Sequence, residues 1–217
     1  DLESSKKFRN KNAFIIKEKV EKNPKYKYIT YEHLKSDVDS FGQGLISAGL
    51  KEKRIAIIGK NSYEWGLTYL TVLSSVGISV PLDKGLKQDE IESLLIRSKA
   101  NCIVFDIQYI DIIDQIKQKA TTNLTNFICM KDNDLNYQTI QDVINIGKKE
   151  ILSGKRDVFN YVIDPKKMAI ILFTSGTTSI SKAVMLSQDN ILSNIYALDC
   201  MIEFYDTDVS LAFLPFH

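Results

Sequence analysis

A hydroxyl-rich segment, residues 174–182, is the part of this sequence best suited to binding a polyanion. Its Ser and Thr side chains, with one glycine and one lysine, are poor material for a hydrophobic core. Gly176 allows a tight turn in which backbone amide groups converge on phosphate oxygens. The hydroxyl groups can donate to the same oxygens or ligate a hard cation such as Mg²⁺, and Lys182 adds a positive charge. The segment therefore predicts a binding site for a nucleoside triphosphate.

The segment differs from the Walker phosphate-binding loop, in which G-x-x-x-x-G-K-[ST] opens a helix. Here the second glycine is missing and Ala183 follows Lys182. The chain then continues into an apolar run, residues 184–186, that is typical of a strand. An alternative interpretation stays open, in which the segment is a surface hairpin and Lys182 only adds to solubility.

The loop must be positioned by short apolar runs that alternate with amphipathic stretches. Continuous apolar runs predict strands at residues 54–58, 78–82, 102–105, 127–130, 168–172 and 184–186. Helical spacing and capping residues predict helices at residues 31–48, 61–76, 89–98, 107–119, 140–152 and 188–201. This alternation indicates an α/β fold, a mostly parallel sheet with helices on both faces. Residues 153–167 best fit a linker.

Several single residues can be assigned structural roles from this pattern. Asn61 or Ser62 is expected to cap one helix, and Ser187 to cap the last. Gly49 is a candidate C-terminal cap. Trp65 is expected to fill the core, because an aromatic residue at helical spacing is more often core than ligand site.

Composition is that of a folded enzyme and excludes several function classes. The chain has 217 residues, of which 44% are hydrophobic, and a net charge of +1, which argues against nucleic-acid or membrane-surface binding driven by charge. No apolar stretch approaches the ~20 residues that span a bilayer, and we expect no signal peptide. The three cysteines are expected to be buried reduced thiols, which favours a cytoplasmic location. Two histidines and no C-x-x-C pair leave little for a zinc site.

The loop resembles the signature of the adenylate-forming (AMP-binding) superfamily, which typically reads T-S-G-T-T-G-x-P-K-G-V followed by L-S-H-x-N. The matching residues are Thr174, Ser175, Gly176, Thr177, Thr178, Lys182, Val184, Leu186, Ser187 and Asn190. The sequence departs from the pattern at Ser179, Ser181, Ala183 and Gln188. The S-x-S-K-A-V form is similar to that of some bacterial long-chain acyl-CoA synthetase relatives.

Other segments resemble the same family in the same order. Residues 30–34, with the Gly-Leu pairs at 44–45 and 49–50, are similar to its opening helix. Residues 54–58 with Asn61, Glu64 and Trp65, followed by residues 77–82, are similar to its R-V-A-I…N…E-W…G…V-P-L run. Residues 213–217 resemble its L-P-x-x-H segment.

The resemblance implies ATP-dependent activation of a carboxylic acid, most simply a fatty acid. The carboxylate attacks the α-phosphate of ATP to give an acyl-adenylate and pyrophosphate, and the thiol of coenzyme A then displaces AMP to form the thioester. The implied ATP-binding residues are Thr174, Ser175, Gly176, Thr177, Thr178, Ser179 and Lys182. Lys182 is the implied catalytic cation, because pyrophosphate leaves with the charge of two phosphates. Thr174 is the implied Mg²⁺ ligand and His217 the implied contact to the acid.

The resemblance also implies that this chain is part of a longer domain. The family's adenine site, acidic magnesium ligand and late catalytic lysine follow the L-P-x-x-H segment. We therefore expect residues 1–217 to be part of the large N-terminal AMP-binding domain, with no C-terminal domain, and to be inactive alone. Residues 1–50 would form a leading helical segment and residues 51–217 the α/β subdomain with the phosphate loop.

Two other functions stay open. The chain could belong to an amino-acid-activating or acyl-carrier-protein ligase of the same fold. It could also be a nucleotide-binding module that has lost catalysis. The acid, its chain length, the thiol acceptor and the oligomeric state are not determined by these residues.

Overall fold

The computed structural model describes residues 2–18, 24–133, 137–174 and 181–216, with side chains from residue 5 onwards. The N-terminal elements are α1 (Leu2–Lys7), β1 (Asn12–Glu18), β2 (Lys25–Thr30) and α2 (Tyr31–Ser47). The central elements are β3 (Arg54–Ile58), α3 (Tyr63–Thr71), β4 (Ile78–Leu82), α4 (Gln88–Ser98), β5 (Cys102–Phe105), α5 (Ile110–Lys119) and β6 (Asn126–Cys129). The remaining elements are β7 (Gln138–Thr139), α6 (Ile140–Leu152), β8 (Met168–Thr174), β9 (Lys182–Ser187) and α7 (Gln188–Met201).

A seven-stranded sheet with the order β7-β6-β5-β3-β4-β8-β9 forms the centre of the fold. Its strands are parallel except for β9, which pairs antiparallel with β8. Strands β1 and β2 form a separate antiparallel hairpin. The predicted α/β architecture with a mostly parallel sheet is therefore confirmed.

Helices cover both faces of the sheet, and this explains the continuous apolar run of strand β3. Ile55 and Ile57 pack into one core cluster with α2, α3 and α6, and Ala56 and Ile58 pack into the other with α4 and α5. Successive side chains of a strand point to opposite faces, so a strand covered on both sides needs apolar residues at every position. Trp65 is buried in the first cluster, as predicted.

Predicted capping residues are present at the start of α3, the start of α7 and the end of α2. Ser62 accepts a hydrogen bond from the Trp65 amide, and Ser187 accepts one from the Asn190 amide. Gly49 follows α2 with φ +80°, a conformation that a glycine adopts without steric cost.

Helices α2 and α6 approach each other closely at two glycines. A Cβ atom added at Gly147 would lie 1.8 Å from the Ser40 carbonyl oxygen, and one at Gly44 would lie 2.3 Å from the Val143 oxygen. No real side chain fits either space, so glycine at both positions is required for this packing.

Three features differ from the sequence-based expectations. The leading segment contains the β1–β2 hairpin in addition to helices. The helix predicted at residues 61–76 is regular only to Thr71 and continues as a π-turn, Val72–Val76. The prediction of three buried thiols is wrong for Cys200, because α7 has no buried residue, whereas Cys102 and Cys129 are buried and unpaired.

Candidate functional site

Two of the predicted phosphate-site residues stand opposite each other at one end of the β8–β9 hairpin. Thr174 ends β8, Lys182 begins β9, and the two are partners in the antiparallel register. Both side chains are exposed. The other predicted residues, Ser175, Gly176, Thr177, Thr178, Ser179 and His217, lie outside the described residues.

The hairpin end lies at the carboxyl edge of the parallel sheet. Strand β8 runs parallel to β4, with Ile170 beside Ser79, so Thr174 and Leu82 both end their strands at this edge. In open α/β sheets, ligands bind outside the carboxyl ends of the strands. The arrangement is therefore suited to presenting the hydroxyl-rich loop to a ligand.

Arg97, near the C-terminus of α4, contacts a residue of β8 and the residue that precedes β9. Its guanidinium donates to the Ser181 carbonyl oxygen at 2.6 Å and to the Ser181 hydroxyl at 3.1 Å. The same guanidinium lies 5.2 Å from the centroid of the Phe173 ring, within the range of a cation–π contact. Phe173 precedes Thr174 and Ser181 precedes Lys182, so one side chain joins the two ends of the loop.

Asn61, in the turn after β3, binds the C-terminal segment. Its Nδ2 group donates to the carbonyl oxygens of Ala212, at 3.1 Å, and Leu214, at 2.6 Å. Its Oδ1 atom accepts from the Phe216 amide at 3.2 Å. The Phe216 ring lies 5.4 Å from that of Trp65. These contacts hold the residues that precede His217 over the start of α3.

The turn after β4 lies at the same edge and is held by a neutral hydroxyl. Tyr109 donates a hydrogen bond to the Lys84 carbonyl oxygen at 2.7 Å. Burial is the main cause that raises the pKa of Tyr109, so it stays a proton donor at physiological pH. Burial likewise raises the pKa of Cys129 at the end of β6, which keeps this thiol protonated and a poor nucleophile.

Neither a metal cluster nor a membrane span is found in the described part of the chain. No group of three His, Cys, Asp or Glu side chains within it could hold a metal ion. None of its helices combines the length and apolarity needed to cross a bilayer. A cavity of about 190 Å³ does occur, but at the opposite edge of the sheet, where its lining includes Ile78, Tyr161 and Met168.

Sequence reasoning missed the roles of Arg97 and Asn61. Arg97 contacts a residue 84 positions away and Asn61 contacts residues 151 to 155 positions away. Local patterns carry no information on such pairs. Asn61 was predicted as an alternative helix cap and as a match to the family pattern, but not as a contact of the C-terminal segment; Ser62 takes the cap role.

Sequence comparison finds ligases that are similar to most of this chain. Rat long-chain-fatty-acid–CoA ligase 5 is 27% identical over 213 residues, which are 89% of this chain and 30% of the rat protein. A long-chain-fatty-acid–[acyl-carrier-protein] ligase of Arabidopsis thaliana is 26% identical over 86% of this chain and 28% of its own length. The chain thus spans under a third of these relatives.

Solved structures show the same fold. ATP-bound MatB of Rhodopseudomonas palustris matches with a TM-score of 0.70 and 25% identity, over 87% of this chain and 35% of that one. A long-chain-fatty-acid–CoA ligase of Archaeoglobus fulgidus matches with a TM-score of 0.73 and 20% identity, over 90% and 37%. The model of the family described as AMP-binding enzyme matches residues 2–217. The chain belongs to the AMP-binding enzyme family.

Proposed function

We propose that this chain supplies the ATP phosphate loop of an enzyme that activates a fatty acid to an acyl-adenylate and then to an acyl-CoA thioester. The observation that carries the proposal is the pairing of Thr174 and Lys182 at the carboxyl edge of the sheet, in a chain of the AMP-binding enzyme family. The fatty acid is favoured because the relatives include long-chain-fatty-acid–CoA ligases.

In this proposal, the two ends of the loop act on the phosphates together. The exposed Lys182 ammonium neutralises charge on the β- and γ-phosphates as pyrophosphate leaves, and Ser175, Gly176, Thr177, Thr178 and Ser179 donate to the same oxygens. The pairing of Thr174 with Lys182 supports this role, because groups held opposite each other before the ligand binds need little reorganisation when charge develops. His217 would contact the acid, next to the segment that Asn61 holds.

The magnesium ion that would accompany ATP fits only partly onto the described residues. The exposed Thr174 hydroxyl is a hard oxygen ligand of the kind that Mg²⁺ accepts. The described residues offer no acidic cluster around it. Mg²⁺ usually keeps several waters and binds substrate phosphates, so Thr174 would supply one ligand beside those oxygens. When bound, the ion would screen phosphate charge.

Further assignments belong to the same proposal. Residues 1–217 would be part of a large N-terminal AMP-binding domain, divided near residue 50, and coenzyme A would be the thiol acceptor. We also propose a likeness to bacterial long-chain synthetases, which residues 179–184 carry. The free cysteines support a cytoplasmic location.

An acyl-carrier-protein acceptor is the second candidate. It is favoured by the Arabidopsis ligase, whose similarity to this chain almost equals that of the CoA ligases. Both candidates share the adenylation step, so the acceptor is tested separately from the loop.

Exchange of labelled pyrophosphate into ATP tests the proposal in the full-length protein. We expect exchange only when a suitable carboxylic acid is added, with fatty acids of different length compared with amino acids. Acid-independent exchange, or hydrolysis of ATP to ADP, would exclude adenylation. Adding coenzyme A or a carrier protein to the preformed adenylate then identifies the thiol acceptor.

A further inference from the structure

The Arg97 side chain contacts residues at both ends of the hydroxyl-rich loop. It lies on α4, an element that carries none of the proposed phosphate-binding residues. Its two hydrogen bonds end on Ser181, and its ring contact is to Phe173. These two residues directly adjoin Lys182 and Thr174.

We infer that Arg97 is a positioning residue for the phosphate loop, which sets the separation and orientation of Thr174 and Lys182. This inference rests on the proposed function of the loop. The guanidinium is a rigid planar fork, so it fixes direction as well as distance at Ser181. Phe173, at the other end of the loop, is half-buried against the core cluster on the α4 face, so this contact of Arg97 is anchored in the fold. We call the contacts of Arg97 with Phe173 and Ser181 the clamp.

Ser181 is also a position where this chain departs from the family pattern, which has proline there. Proline fixes its own φ near −65° without any partner, whereas serine leaves the backbone free. The hydrogen bond from Arg97 to the Ser181 carbonyl oxygen, with the second to its hydroxyl, restrains the same residue from outside. Arg97 and Ser181 therefore act as a pair. The two hydrogen bonds from the guanidinium restrain the backbone of residue 181, as the ring of a proline would.

Misplacement of a charged group by about 1 Å can lower a rate a hundredfold. Loss of the Arg97 contacts is therefore expected to slow the reaction. In the full-length protein, Arg97→Ala should lower kcat/KM for ATP about tenfold. The effect should lie in ATP and pyrophosphate handling, with KM for the acid unchanged. Arg97→Lys should lose nearly as much, because an ammonium keeps the charge but neither the fork nor the stacking geometry.

The serine position provides a rescue test. The Ser181→Pro variant alone gives the reference activity for this background. In the Ser181→Pro background, Arg97→Ala should cost no more than about twofold, because the ring now restrains residue 181. An equal loss in both backgrounds, or full activity of Arg97→Lys, would show that Arg97 acts through its charge or through general stability.

Arg156 offers a matched control. Its guanidinium donates to the Ile151 and Lys155 carbonyl oxygens and lies 5.8 Å from the Phe159 ring, a contact set of the same kind in the linker after α6. Arg156→Ala should leave kcat/KM for ATP unchanged. A loss equal to that of Arg97→Ala would indicate a non-specific effect of removing a surface arginine.

Amide hydrogen exchange tests the clamp independently of the reaction. Peptides that cover residues 173–182 should exchange faster in Arg97→Ala than in wild type or Arg156→Ala, without ATP. Unchanged exchange would overturn the inference even in an active enzyme. Faster exchange in a protein that shows no acid-dependent pyrophosphate exchange would support the clamp while rejecting the proposed function.

Discussion

At the scale of single residues, Lys182 has the geometry of a cation kept available for a ligand. It begins β9 opposite Thr174, its side chain is exposed, and the neighbouring Ser181 is held by Arg97. A lysine that contributed to folding through packing would be at least partly buried. Its contribution should therefore be seen in ligand binding and in rate.

Replacing Lys182 by alanine should remove a charge-assisted contact worth roughly 1.5–3 kcal/mol. The adenylation step of the full-length protein should slow about ten- to a hundredfold, while the melting temperature stays nearly unchanged. Pyrophosphate exchange and thermal unfolding measure the two effects. Lys51→Ala, at an exposed turn lysine, is the control. An unaltered rate with a large fall in melting temperature would make Lys182 a structural residue.

Residue roles were predictable only where the signal is local. Ser62 and Ser187 are confirmed as caps because the capping residue and its helix are adjacent in sequence. Arg97 was not predictable, since an exposed helical arginine has the same local pattern whether or not it contacts a loop. The phosphate-binding roles of Thr174 and Lys182 stay predictions that the assays above test.

At the scale of elements, the strands followed from apolar runs that are buried on both faces. Strand β3 was predicted at its observed bounds, as was β4. The β1–β2 hairpin was not predicted, because β2 is mostly exposed and its lysines and tyrosines give no continuous apolar run. The break in regular helix at Thr71 has no proline or glycine to signal it within residues 72–76.

The close approach of α2 and α6 gives a sharp test of the packing. Gly147→Ala should destabilise the fold by about 2 kcal/mol or more, because a Cβ placed 1.8 Å from a backbone oxygen forces the helices apart. Lys149→Ala, at an exposed position of the same helix, should change stability by less than about 0.5 kcal/mol. Urea unfolding of the two variants decides this. Equal stability would mean that the helices can separate there at no cost.

At the scale of the whole chain, the apolar surface is unevenly distributed. The core on both faces of the sheet is buried, whereas large apolar residues of α7 and the segment after it are exposed. They include Leu192, Ile195, Tyr196, Met201, Phe204, Leu211 and Phe213. The described residues provide the two ends of the proposed phosphate loop, and a cavity of about 190 Å³ lies at the other edge of the sheet.

A protein made of residues 1–217 alone should therefore bind ATP weakly. The family resemblance implies that the base is bound by residues that follow residue 217, so phosphate contacts alone should give millimolar affinity or weaker, roughly −4 kcal/mol at best, and no measurable acyl-adenylate. Calorimetric titration with magnesium-ATP and a pyrophosphate-release assay over a panel of acids measure both. The full-length protein, assayed beside it, should be active. Micromolar binding by residues 1–217 would show that this chain holds a complete nucleotide site.

The way Asn61 binds the C-terminal segment has a consequence for how that segment can vary. All three of its hydrogen bonds end on main-chain atoms, those of Ala212, Leu214 and Phe216. Main-chain atoms are the same in every amino acid except proline, so the path of the segment does not depend on most of its side chains. A stretch tethered in this way can exchange its side chains while its backbone keeps its place. With His217 as the proposed contact to the acid, the preference for one acid over another can then change without a change in the path of the chain.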